Sequence, residues 1–284
     1  MISSLDNKQV KEVIKLNQKG RARREAGVFI IEGEHLFSEV SEDELVKVFV
    51  SESFKDTTGR LKKLCGLNGC EDEDLTAGKM VEPAGKNASS KVEVVSDEVF
   101  KKMTDTLTPQ GVLCIVKQRN YSLDEMLENA IKERDEHGRA PLFLVLEGIQ
   151  DPGNLGTIMR TAEGAGASGI IMSKETVDLY NPKTVRSTMG SIFRVPFLYT
   201  DDLKGAVMKL KEASIPSFAA HLKGTKCYKD VDYSKGAVFF IGNEGNGLTD
   251  ETAGLADEYV IIPMQGKLES LNAAVSAALL MYAL

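Results

Sequence analysis

The sequence predicts an α/β protein: a parallel sheet covered by helices on both faces in the C-terminal half, preceded by a smaller α/β unit. Three observations lead there. From residue 142 onward, short and almost wholly apolar runs alternate with runs of helical period, and continuous apolar strands belong to sheets buried on both sides. The turns that follow several of those runs are rich in Gly, Pro and Asn. A length of 284 residues also exceeds what one core usually needs, which allows two domains.

The chain opens on an amphipathic helical pattern, with Val10, Val13, Ile14 and Leu16 among lysines. Residues 28–31 read as a strand running into Glu32-Gly33-Glu34-His35, residues 45–50 as a second strand, and 54–64 as a helix. Residues 66–91, rich in Gly, Asn, Ser, Asp and Glu, read as irregular. Strand patterns return at 92–95 and 111–116, around a helix over 97–103 capped by Ser96. This gives a first domain over 1–118. A charged helical stretch at 122–136 reads as part of a linker, 119–140, and 141–284 as the second domain. There, strands at 142–147, 169–172, 195–199, 217–221, 237–241 and 259–262 alternate with helices at 155–163, 183–192, 203–212 and 271–284. Ligands of such sheets sit at the carboxyl ends of the strands.

A 42% hydrophobic and 27% charged composition is that of an ordinary soluble protein. The polar amino terminus lacks the apolar core of a signal peptide. The longest apolar stretch, 273–284, is twelve residues long and holds Ser276; a bilayer span needs ~20. A cytoplasmic location is expected. Cys65, Cys70, Cys114 and Cys227 are scattered, with no second pair or His cluster beside Cys65 and Cys70. They fit reduced thiols, neither a disulfide framework nor a zinc site. The net charge of −7 argues against a general nucleic-acid coat protein. Its distribution is uneven: residues 8–24 hold Lys8, Lys11, Lys15, Lys19, Arg21, Arg23 and Arg24 against the single acid Glu12. That segment is either a solvated helix face or a surface that tracks phosphates.

Three polar clusters follow strands of the second half. In the first, Glu147 to Ala162, Pro152 and Gly153 force a tight turn and Asn154 is a good N-cap for the next helix. Arg160 falls about a turn and a half into that helix, away from Ile158 and Met159; spacing alone makes it a surface arginine. The second cluster, Gly242-Asn243-Glu244-Gly245-Asn246-Gly247, has three glycines in six residues, which let backbone amides approach a ligand. Their order is GxxGxG, not the dinucleotide GxGxxG, and no GxxxxGK[ST] loop is present. Glu244, at the mouth of the sheet, is a natural acceptor for hydroxyl or amino groups. The third cluster runs Ile262-Pro263-Met264-Gln265-Gly266-Lys267-Leu268-Glu269-Ser270-Leu271-Asn272. The helix after it carries Ala273, Ala274, Ser276, Ala277 and Ala278, which suits close helix packing.

In this order and spacing the clusters resemble the SpoU (TrmH-like) family of RNA 2′-O-ribose methyltransferases, within the SPOUT superfamily. The family pattern NxGxxxRxA is met by Asn154, Gly156, Arg160 and Ala162, and GxExxG by Gly242, Glu244 and Gly247. The third, IPMxGxxxSLNxxxA, is met by Ile262, Pro263, Met264, Gly266, Ser270, Leu271 and Asn272, with Ser276-Ala277 at its end. The likeness covers roughly residues 140–284. Asn181-Pro182-Lys183 and Arg186 to Ser191 are similar to the family's middle segment. The N-terminal part, with Phe29-Ile30-Ile31-Glu32-Gly33, resembles the small L30e-related substrate-binding domain that many members carry.

The resemblance implies a deep trefoil knot in the C-terminal domain and S-adenosylmethionine bound within it. The cofactor residues would be Leu222, Gly242, Glu244, Ile262, Met264, Leu271, Asn272 and Ala273. Arg160, Asn154, Glu244, Ser270 and Asn272 would form the catalytic set, in a homodimer where Arg160 serves the partner's cofactor. No metal is required, because a sulfonium supplies its own electrophilicity. Lys8, Lys11, Arg21, Arg23, Arg24 and Arg186 are the expected RNA contacts. Ribosomal RNA (23S) is favoured over transfer RNA, since a separate domain with a basic stretch suits recognition of a structured RNA by shape and backbone. The rival readings are an inactive RNA-binding homologue and a nucleotide-dependent oxidoreductase; the missing GxGxxG and acidic ribose partner count against the latter.

Overall fold

The computed structural model describes residues 1–65, 76–77 and 91–284. The irregular stretch expected over 66–91 falls, apart from residues 76, 77 and 91, outside the described residues, as does Cys70. The chain divides into two compact units, Met1–Arg119 with Tyr180–Gly190, and Asn120–Leu179 with Ser191–Leu284.

The first unit is built on a four-stranded sheet of β1 (Val28–Glu32), β2 (Leu45–Ser51), β3 (Val92–Val95) and β4 (Val112–Lys117), in the order β1-β4-β2-β3. β4 runs antiparallel to β1 and β2, and β3 parallel to β2. The amphipathic opening forms α1 (Lys8–Gln18), whose Val10, Val13 and Leu16 are buried with Ile30, Phe49 and Leu113. Each such side chain contributes about 1.5–3 kcal/mol by leaving water. α2 (Gly20–Ala26) and α3 (Glu34–Glu39) were not legible from periodicity, being under two turns long. The helix expected over 54–64 is confined to α4 (Arg60–Leu64). Ser96 stands at the N-cap of α5 (Asp97–Met103), yet its side chain makes no capping hydrogen bond.

The second unit carries a seven-stranded, all-parallel sheet in the order β7-β6-β5-β10-β8-β11-β9. Its strands are β5 (Leu142–Leu146), β6 (Gly169–Ser173), β7 (Phe197–Thr200), β8 (Ser217–Ala220), β9 (Lys226–Cys227), β10 (Ala237–Ile241) and β11 (Glu258–Ile261). β5, β6 and β10 are buried throughout, as their unbroken apolar runs require. The stretch expected as a linker forms α6 (Leu123–His137), started by a capping box of Ser122 and Glu125. Its Leu123, Met126, Leu127 and Ala130 are buried in one core with Phe143, Val145, Val238 and Phe240. That apolar stripe makes it a layer of the second unit and not a free connection.

α7 (Pro152–Gly164), α9 (Leu203–Glu212), α10 (Asp250–Ala253) and α11 (Ala273–Met281) complete this unit. The helix expected over 183–192 ends at Thr188 as α8 (Pro182–Thr188), where Met189 turns left-handed at φ 51°, and it belongs to the first unit. There the Tyr180 ring packs on Phe29 with centroids 4.6 Å apart. Among the described residues no helix is long and apolar enough to cross a membrane.

Candidate functional site

Sheet order assembles the site. β5, β10, β8 and β11 are consecutive neighbours and all parallel, so the segments leaving their carboxyl ends lie along one edge. These segments hold 147–151, 242–249, 221–225 and 262–272, which include the loop part of all three polar clusters.

Asp151, not Asn154, caps α7: its carboxylate accepts from the Asn154 backbone N–H at 2.9 Å. Pro152 occupies the first turn, where a missing N–H costs nothing, and this sets the cap one residue before it. Relieved of capping, the Asn154 side chain reaches Glu244, with Nδ2 donating to Oε1 at 2.9 Å. Glu244 also accepts from the backbone N–H of Gln150 at 3.0 Å and of Asp151 at 3.1 Å. A carboxylate only accepts, so Asn154 must turn its amide nitrogen toward it and leave Oδ1 free. That oxygen accepts from Asn272 Nδ2 at 2.9 Å, and Asn272 Oδ1 caps α11 by accepting from Ala274 N at 2.9 Å and Val275 N at 3.3 Å. One carboxylate therefore orients two amides and ties the three clusters together. Partial burial pushes the Glu244 carboxyl up, but the donors from Asn154, Gln150 and Asp151 outweigh it and hold the group below the usual range.

Two residues not singled out from sequence hold the same loops. Asn243 Nδ2 donates to Gly148 O at 2.8 Å, while its Oδ1 accepts from Gly245 N at 2.9 Å and Asn246 N at 3.0 Å. The Glu147 carboxylate accepts from Thr249 N at 2.8 Å and Thr249 Oγ1 at 2.9 Å, and from the Thr252 hydroxyl. The signal was present, since Glu147 is the first polar residue after five apolar ones and Asn243 opens the glycine cluster.

Arg160 is exposed on α7, with no hydrogen bond or ion pair among the described residues. Ser270 is likewise exposed and without one. Of the expected catalytic set, Asn154, Glu244 and Asn272 are hydrogen-bonded together, and neither Arg160 nor Ser270 joins them. Leu222 follows β8 at 67% exposure, Ile262 and Met264 follow β11 half-buried, and Leu271 precedes the buried Ala273. A Cβ on Gly242 would lie 2.1 Å from the Gly247 carbonyl carbon and 2.2 Å from Leu248 N. The rim thus offers closely packed backbone beside accessible apolar side chains, which suits the flat ring and short chain of a nucleoside cofactor. No group of His, Cys, Asp and Glu fit to hold a metal occurs among the described residues.

In the first unit, Lys8, Lys11, Arg21 and Arg24 are exposed, with Lys11 paired to Asp6 at 2.7 Å and Arg21 to Glu25 at 2.6 Å. Arg23 corrects the expectation of an RNA contact. It is 3% exposed, and its guanidinium donates to Leu16 O at 2.6 Å and Asn17 O at 3.1 Å, which terminate α1. Arg186 lies 3.4 Å from Asp105.

The chain matches the model of the SpoU rRNA Methylase family over residues 141–282 and that of the MRM3-like substrate binding domain over residues 7–114. It is 30% identical over 281 residues to the 23S rRNA (guanosine(2553)-2′-O)-methyltransferase RlmP of Bacillus subtilis, covering 99% of this chain and 97% of that protein. Among solved structures it is similar to an rRNA methyltransferase from Sinorhizobium meliloti, at 30% identity and a TM-score of 0.76, covering 99% of this chain and 95% of that one. The AdoMet-bound form of the latter matches with a TM-score of 0.75 at the same identity and coverage.

Proposed function

The chain belongs to the SpoU rRNA methylase family, and we propose that it transfers a methyl group from S-adenosylmethionine to a ribose 2′-oxygen of 23S ribosomal RNA. The observation that supports this most is the hydrogen-bonded chain Glu244–Asn154–Asn272, which joins the three family motifs at one edge of a parallel sheet. The cofactor supplies an electrophilic methyl group on a cationic sulfur. Leu222, Gly242, Ile262, Met264 and Leu271 would hold it through backbone and apolar contacts, with Ala273 behind them. The resemblance makes this segment the knotted one, and the grouping of loops after β8, β10 and β11 is compatible with such a cradle.

A ribose hydroxyl that attacks carbon must lose its proton as the new C–O bond forms. Arg160 is a poor group to take it, because a guanidinium stays charged at any working pH. Its chemistry suits gripping the phosphate beside the target ribose and stabilising negative charge as it grows on the 2′-oxygen. We read Ser270, exposed and without a hydrogen bond among the described residues, as a contact for substrate or cofactor. Glu244 accepts from Gln150 N, Asp151 N and Asn154 Nδ2, so we read it as the anchor of Asn154 and, through it, of Asn272.

The first unit, matched by a substrate-binding family model, would grip the RNA, in the manner of an L30e-related domain. Lys8, Lys15, Lys19 and Arg24 are exposed there, with no ion pair among the described residues. We further read the enzyme as a cytoplasmic homodimer. α11 contributes to a groove of about 570 Å³ lined by Ala274, Val275, Ala278 and Tyr282, which a second copy could cover. The decisive experiment maps ribose methylation in total RNA with and without the gene. One 2′-O-methyl disappearing from 23S rRNA is expected; loss from transfer RNA alone would overturn the choice of substrate.

A further inference from the structure

Arg160 has an acidic neighbour on its own helix that it does not use. Positions three and four apart on a helix face one another, with Cβ atoms roughly 5–6 Å apart. Of Gly156, Thr157, Glu163 and Gly164, which stand at those spacings from Arg160, Glu163 alone is acidic. An i,i+3 pair between Arg160 and Glu163 is thus the default local arrangement. In the structure the Glu163 carboxylate is engaged elsewhere. Arg194 donates from Nε to Oε1 and from Nη2 to Oε2 at 3.1 Å, and the Ser191 hydroxyl donates to Oε2 at 2.5 Å. Ser191 belongs to the short helical turn Ser191–Phe193 that packs beside α7. Hydrogen bonding by Arg194, reinforced by Ser191, holds the Glu163 carboxyl below the usual carboxylate range. Two-point capture by a planar guanidinium is the strongest way to occupy a carboxylate.

We propose that Ser191 and Arg194 are positioning residues for methyl transfer: they sequester Glu163, and so leave Arg160 unpaired and available to an RNA phosphate. The inference rests on Arg160 being the group that meets the RNA. Without Arg194, the freed carboxylate would compete with the phosphate for Arg160 and cancel part of its field at the reacting oxygen. At ~6 Å, the interaction of two unit charges between water-like and surface-like screening corresponds to roughly threefold to a hundredfold in rate.

The test compares full-length Arg194→Met, Glu163→Gln, the double variant and Arg160→Ala. The methyl acceptor is ribosomal RNA from cells lacking the gene, and S-adenosylmethionine binding is followed by calorimetry. Arg194→Met should lose roughly tenfold in kcat/KM for RNA with cofactor affinity unchanged. Adding Glu163→Gln should return the double variant to within about threefold of Glu163→Gln alone, because the competing charge is gone. A double variant as poor as Arg194→Met would overturn the proposal and make Arg194 a packing residue. Wild-type activity in Arg160→Ala would instead sink the reading of Arg160 itself. If Arg194→Met does not fold, Ser191→Ala removes one donor and should show a smaller loss that Glu163→Gln again relieves; no loss there overturns the proposal.

Discussion

A methyl group added at position 242 has nowhere to go, because its nearest neighbours are the Gly247 carbonyl carbon at 2.1 Å and Leu248 N at 2.2 Å, both backbone. Side chains can swing aside, but this loop cannot, since Asn243 pins it to Gly148 and to its own amides. Gly242→Ala should therefore cost about 1–3 kcal/mol of stability, as overpacking does, lowering Tm by several degrees. Cofactor binding should weaken beyond detection by calorimetry, and an unchanged Tm would show that the close approach is not retained. Asn154 shows the limit of reading a single position. Its type and place suggested a helix cap, yet Asp151 takes that role and frees Asn154 for Glu244. Cap preference ranks Asn and Asp almost equally, so only the position of Pro152 separates them.

Short elements escaped the periodicity, and long ones did not. α6 and α9 were legible because each turns an apolar stripe inward over ten residues or more, whereas β9, two residues long, and α10, four residues long, carry no repeat to read. The joint between α1 and α2 is a sharper case. A charge count over 8–24 treats Arg23 and Arg24 alike, but Arg23 closes the last carbonyls of α1 and Arg24 faces outward. Helix-end carbonyls without a partner are costly, so Arg23→Met should destabilise the first unit by about 1–3 kcal/mol. It should leave the RNA affinity of the folded protein unchanged. Arg24→Met should do the reverse. Thermal melts and filter binding separate the two, and a fall in RNA affinity with an unaltered melt for Arg23→Met would refute the assignment.

An acidic chain that binds RNA must concentrate its positive charge. With a net charge of −7, binding is expected to depend on exposed cations that make no ion pair among the described residues, with Lys8, Lys15, Lys19 and Arg24 of the basic 8–24 stretch foremost. Four phosphate contacts imply that log K falls with log salt at a slope of about −3 to −4, between the single-strand and duplex limits. Lys15→Ala should reduce that slope by roughly 0.7; a slope near zero would place the RNA elsewhere. The division of labour between chain and fold follows from what each interaction needs. Apolar runs, glycine clusters and the order of three motifs are properties of adjacent residues, and they were enough to establish the parallel α/β class and the family. The sheet order β5-β10-β8-β11, the burial of Arg23, the docking of α6 and the capture of Glu163 by Arg194 join residues distant in sequence. Those are decided by tertiary packing, because a hydrogen bond or an apolar contact depends on where its partner comes to rest and leaves no trace in local spacing.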